Sequence, residues 1–189
     1  MYAELARRYF TWIGPATLAE FQAFAGVTGK TAKAAAAELG LTPIDTGAEY
    51  LLLPDDARKF REFKPPKEPQ YVLTGSLDGI ALFRRALHDL VDPVDASHAL
   101  FEGGARAGGG PHDLPRHAIF DRGRLVGLWD YDPDAKCIVW AAFIKKSRGL
   151  EQAVARTAAY VLDELGDARS FSLDSPKSRL ARIEALKQV

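Results

Sequence analysis

The stretch GPATLAEFQAFAGVTGKTAKAAAAELGL, residues 14–41, decides how the N-terminal part of this chain folds. Thr17 with Glu20 three residues later is a capping box, so a helix is predicted from Leu18, burying Leu18, Phe21 and Phe24. Gly26 accepts the left-handed backbone that ends such a helix, and Val27-Thr28 makes the turn. From about Gly29 the alanine-rich run TAKAAAAEL favours another helix, whose small side chains let a second backbone approach closely. Upstream, Leu5, Tyr9, Trp12 and Ile13 recur at helical spacing until Gly14-Pro15 stops the run, because Pro has no N–H to donate. Downstream, residues 41–45 and 50–53 alternate as short strands about a turn at Thr46-Gly47-Ala48. Helix, helix-turn-helix and two-stranded hairpin is the element order of a winged helix.

In that fold the third helix enters the major groove of DNA. Thr28, Lys30, Thr31 and Lys33 at its start are therefore expected to face phosphates or base edges, with the hairpin tip along the backbone. The wing carries Asp45 and Glu49 and no Lys or Arg, which weakens its attraction for phosphate. A protein-contacting or spacer role is the alternative reading of the same module, since a fold does not assign a function.

The 189 residues are 47% hydrophobic and 26% charged, enough for one sizeable core or two small ones. No apolar leader opens the chain and no window reaches the length of a membrane span, so a cytoplasmic protein without a membrane partner is expected. Cys137 is the single cysteine, which excludes an intrachain disulfide and a cysteine-based metal site; between strand-like neighbours it is expected to be buried. Lys plus Arg balance Asp plus Glu at 25 each, removing the global basic bias of many nucleic-acid binders. The cations are nevertheless clustered. Lys145, Lys146, Arg148 and Arg156 stand against Glu151 alone, and Lys177, Arg179, Arg182 and Lys187 against Glu184 alone, although a solvated helix face explains the second group as well.

Residues 55–63 read as a short helix, and KPPKEP, residues 64–69, as an extended connector between a winged-helix domain at 1–64 and a second domain at 70–189. In the second domain QYVLTG reads as a strand, followed by a helix bearing Leu82, Phe83, Leu87 and Leu90. The glycine-dense GGARAGGG, residues 103–110, lacks the phosphate-loop pattern and reads as a surface loop carrying Arg106. Strands are expected at 116–120, 124–131 and 137–143, a long amphipathic helix at 149–165, a last strand at 168–173, and a final helix capped by Ser175-Pro176. The fold class is thus α+β: a winged helix-turn-helix, then an antiparallel sheet with covering helices.

Little in the chain announces catalysis. His88, His98, His112 and His117 lack metal-ligand spacing, so neither a metal nor a cofactor is expected. His112-Asp113 beside the glycine loop is the one acid–base pair worth weighing, as the site of a small-ligand or enzymatic module. Ser76 and Asp78 read as helix caps rather than a nucleophile elbow, and Asp130, Asp132 and Asp134 as turn residues rather than a calcium loop. Trp129, Tyr131 and Trp140 near Lys145, Lys146 and Arg148 suit either a nucleic-acid face or a strand core. The three cations are expected together in a solvent-exposed loop between strand and helix.

Two segments carry a resemblance. RRYFTWIGPATLAEFQAFAGV, residues 7–27, and RGRLVGLWDY, residues 122–131, resemble in the same order motifs of the later part of the bacterial tandem winged-helix DNA glycosylases of the AlkZ type. The resemblance implies a DNA-binding scaffold and a link to DNA repair. Base removal in those enzymes is tied to a Gln-x-Gln or Gln-x-Asp motif, whereas Gln22, Gln70 and Gln152 here precede Phe24, Val72 and Val154 by two positions and Gln188 has no such successor. The expectation is therefore a DNA-binding relative without its own catalytic residues, with a scaffold subunit for a partner protein as the rival to the ligand-binding module.

Overall fold

A computed structural model describes residues 1–79, 90–95, 117–165 and 176–188. The chain divides into two compact units, Met1–Pro65 and Pro66–Val189.

The first unit opens with α1 (Tyr2–Ile13), α2 (Leu18–Ala25) and α3 (Gly29–Ala36), the last tightening into a 3₁₀ turn at Ala37–Leu39. The capping box forms: the Glu20 amide donates to Thr17 Oγ1 at 3.0 Å and the Thr17 amide to Glu20 Oε2 at 2.7 Å. Gly26, at φ 63°, ends α2 as expected. α1 buries Ala6, Tyr9, Phe10 and Ile13, and the Tyr9 ring meets Phe21 at 5.4 Å and Phe24 at 4.9 Å. Trp12, expected on the apolar side of α1, is instead 69% exposed. It stands about 100° around the helix from Ile13, off the stripe that packs inward.

The strands β1 (Thr42–Pro43) and β2 (Leu51–Leu52) are shorter than the alternation suggested, because Pro43 cannot donate to a ladder. Ala16 extends this small sheet by exchanging backbone hydrogen bonds with Leu51 at 3.1 and 2.9 Å. The helix α4 (Pro54–Glu62) closes the unit, with Pro54 at the first turn, where its missing N–H costs nothing.

The second unit is built on a four-stranded antiparallel meander, β3 (Tyr71–Thr74), β4 (His117–Asp121), β5 (Arg124–Asp132) and β6 (Cys137–Ala142). A bulge at Val126 in β5 lets Phe120 pair with Leu125 and Ile119 with Gly127. Leu125 and Leu128 therefore share one face with Ala118, Phe120 and Ala141, while Val126, Trp129 and Tyr131 share the other with Ile119 and Ile138. The helix α5 (Arg148–Tyr160), continued by a π-helical turn at Val161–Leu165, covers the second face through Leu150, Val154 and Val161. The helix α6 (Pro176–Lys187) reaches the first face through Leu186. This is the expected α+β layering of an antiparallel sheet under helices.

One detail corrects the sequence reading. Cys137 is exposed, because it opens β6 beside the turn and pairs with Asp132 at the end of the ladder. The Ser76 amide donates to His117 Nδ1 at 3.0 Å and its buried Oγ has no hydrogen-bond partner among the described residues, while the helix it was expected to cap lies outside them. The segments read as a helix at 80–89, the glycine loop with Arg106, His88, His98, His112, Asp113, the strand at 168–173 and the Ser175 cap lie outside the described residues.

Candidate nucleic-acid interface

The turn between α2 and α3 is tight enough that a Cβ on Gly29 would stand 3.2 Å from Gln22 Oε1. Thr28 is the N-cap of α3. Its Oγ1 accepts from the Thr31 amide at 3.3 Å and lies 3.0 Å from Thr31 Oγ1, so both hydroxyls already serve the cap. Lys30 and Lys33 are exposed, three residues apart on one face, while Ala32, Ala35 and Ala36 on the other are buried. Neither lysine has an ion-pair partner among the described residues. At the hairpin tip the Asp45 carboxylate accepts from the Thr46 amide at 2.7 Å.

In the second unit the three expected cations are not all in a loop. Lys145 and Lys146 precede the N-cap Ser147, whose Oγ accepts from the Leu150 amide at 3.3 Å, but Arg148 is the first residue of α5. The helix begins one residue early because Ser147 supplies the cap. All three are exposed. Lys146 Nζ lies 4.9 Å from the centroid of the Trp140 ring, a cation–π contact, whereas Lys145 and Arg148 have no such engagement among the described residues. Trp129 and Tyr131 are buried and Trp140 packs partly against the same core, so these rings serve the fold rather than an open stacking face.

Other polar groups are structural. Trp129 Nε1 donates to the Thr74 carbonyl at 3.2 Å and its ring stacks 4.3 Å from that of the buried His117. Asp130 pairs with Arg182 at 2.8 Å, which locks α6 to β5. Asp132 accepts from the Asp134 and Ala135 amides at 3.1 Å, the turn role expected of it, and from Lys187 Nζ at 3.3 Å. The Ala135 amide, foremost, with the Lys187 ammonium and the Asp134 amide, holds that carboxyl below its ordinary range against the opposing effect of burial. No group of three or more His, Cys, Asp or Glu among the described residues is placed to hold a metal, and none of their helices is long and apolar enough to cross a membrane.

The AlkZ-like DNA glycosylase family model matches residues 1–167. The chain belongs to that family. Among solved structures it is similar to the DNA glycosylase AlkZ of Streptomyces sahachiroi, with a TM-score of 0.57 and 20% identity over 89% of this chain and 44% of that one. The likeness shows a shared fold, and the chain spans less than half the length of that enzyme. No curated protein matches.

Sequence reasoning missed the contact of Lys146 with Trp140 and the role of Arg122 described below. The first has a weak signal, a lysine just beyond an aromatic strand; the second has none, because its partners lie 55 and 56 residues away.

Proposed function

We propose that this AlkZ-like chain is a DNA-binding scaffold whose first unit is a winged helix presenting α3 to duplex DNA. The observation that carries the reading is the exposed pair Lys30, in the first turn of α3, and Lys33, one turn further on, neither with an ion-pair partner among the described residues, in a member of a DNA glycosylase family. The positive end of the helix dipole adds to their attraction for phosphate. Thr28 and Thr31 hold the cap and so fix the angle at which the lysines leave the surface. Lys145, Lys146 and Arg148 supply a second set of backbone contacts from the other unit. Base excision is not assigned to this chain, since no glutamine pair with the family spacing is present in its sequence.

Affinity for a duplex measured against salt concentration tests this. Each phosphate contact adds about 0.9 to the slope of log affinity on log salt, so Lys30→Glu with Lys33→Glu should weaken binding to all sequences and flatten the slope by about two. An unchanged slope in a folded double variant removes α3 from the interface.

A further inference from the structure

The connector between the two units is fastened at one end by a single side chain. Arg122 sits in the β4–β5 turn at φ 50°, followed by Gly123 at φ 87°. Its guanidinium is held by the neighbouring carboxylate, Nε to Asp121 Oδ1 at 3.1 Å and Nη2 to Oδ2 at 2.9 Å. The remaining arm reaches back along the chain, where Nη1 donates to the Lys67 carbonyl at 3.0 Å and to that of Pro66 at 3.3 Å. Asp121 Oδ1 also accepts from the Gln70 amide at 2.8 Å. A planar fork fixed on one edge by a carboxylate presents its free N–H groups at a set angle, which an ammonium does not do.

We propose that Arg122 sets the length of the tether between the units. With Pro66 and Lys67 clamped to the β4–β5 turn, and with the Phe63 amide still bonded to the Lys59 and Phe60 carbonyls as the cap of α4, only Lys64 and Pro65 lie unfastened between them. Two residues reach at most about 7 Å, whereas release of the clamp frees the chain as far as Pro69 and extends that reach to about 20 Å. The KPPKEP segment is thus an anchored strap with a hinge of two residues, one of them Pro, and not a free linker. For any ligand held by both units, a shorter tether raises the effective concentration of the second contact once the first has formed. The clamp is a property of the second unit alone and stands whether or not that ligand is DNA.

Backbone ¹⁵N relaxation on the full chain tests it at the amides of Lys64, Lys67 and Glu68, with Leu128 as the rigid reference. In the wild type Lys67 and Glu68 should show order parameters of about 0.8, near that of Leu128, with Lys64 lower. Arg122→Asn keeps a residue that tolerates the left-handed backbone but removes the guanidinium, and should drop Lys67 and Glu68 below about 0.6 while Leu128 is unchanged. Arg122→Lys keeps the charge without the fork and should release the strap as well. Order parameters below about 0.6 at Lys67 and Glu68 in the wild type, or undiminished ones in either variant, overturn the proposal.

Discussion

At the scale of single residues, the second unit depends on positions that the sequence marks only faintly. Gly127 is one. A Cβ there would come 2.5 Å from the Ala141 carbonyl oxygen and 3.1 Å from the Ala142 Cα, so the strand pair β5–β6 closes only around a glycine. Asp130 is another, read from sequence as a turn residue in an acidic run and found 1% exposed on the sheet face that receives α6. Its carboxylate is paired with Arg182, whose side chain is only 12% exposed, so removal of one partner strands a charge in a poorly solvated place. Asp130→Ala should lower stability by about 3–5 kcal/mol in denaturant unfolding, whereas an apolar pair in place of both residues should cost less. Equal losses for the single and double variants would show that packing, not the charge, dominates this contact.

At the scale of elements, local signals carry most of the information. The Thr17–Glu20 box and Gly26 place both ends of α2, and the alanine run the start of α3, within a residue of their observed limits, because caps and propensities act within one helical turn; the run does not show that α3 tightens into a 3₁₀ turn after Ala36. What they do not specify is which side of a helix meets the core: Trp12 fits the apolar period of α1 yet is exposed, since α2 and α3 pack against the stripe of Tyr9, Phe10 and Ile13. The start of α5 shows the same division. Ser147 caps it through a bond three residues away and starts it one residue before the expected Gly149, but the seating of Lys146 over Trp140 depends on β6 lying beside it. If this helix start binds phosphate, replacing Lys145, Lys146 and Arg148 by Ala should leave stability nearly unchanged, as exposed charges contribute about half a kcal/mol or less each. DNA affinity should then fall steeply at low salt and much less at high salt, because the lost contribution is counterion release. A loss equal at all salt concentrations excludes this surface as a backbone contact.

At the scale of the whole molecule, membership of a family does not by itself assign its chemistry to a chain. Its glutamines lack the spacing of the family motif, so single-turnover incubation with alkylated duplex DNA should release no base. Release above a matched blank that survives repurification would place catalytic residues in this chain after all. The candidate interface was legible where it depends on exposure of a short segment: Lys30 and Lys33 follow from a cap and a helix period. The aromatic cluster was legible only in part: antiparallel strands bury aromatics routinely, which favours a core for Trp129 and Tyr131, but the covering helix is what excludes a binding platform. The sequence by itself determined the α+β class, the closely spaced pair α2 and α3, and the meander, all of which rest on caps, turns and periodicities spanning fewer than about a dozen residues. Only the tertiary structure decided the rest: the bulge at Val126 that puts Leu125 and Leu128 on one face, the burial of Asp130 against Arg182, and the Arg122 clamp. Each brings together groups far apart along the chain, and pairing at that range is set by how whole layers pack, a choice that no local pattern encodes.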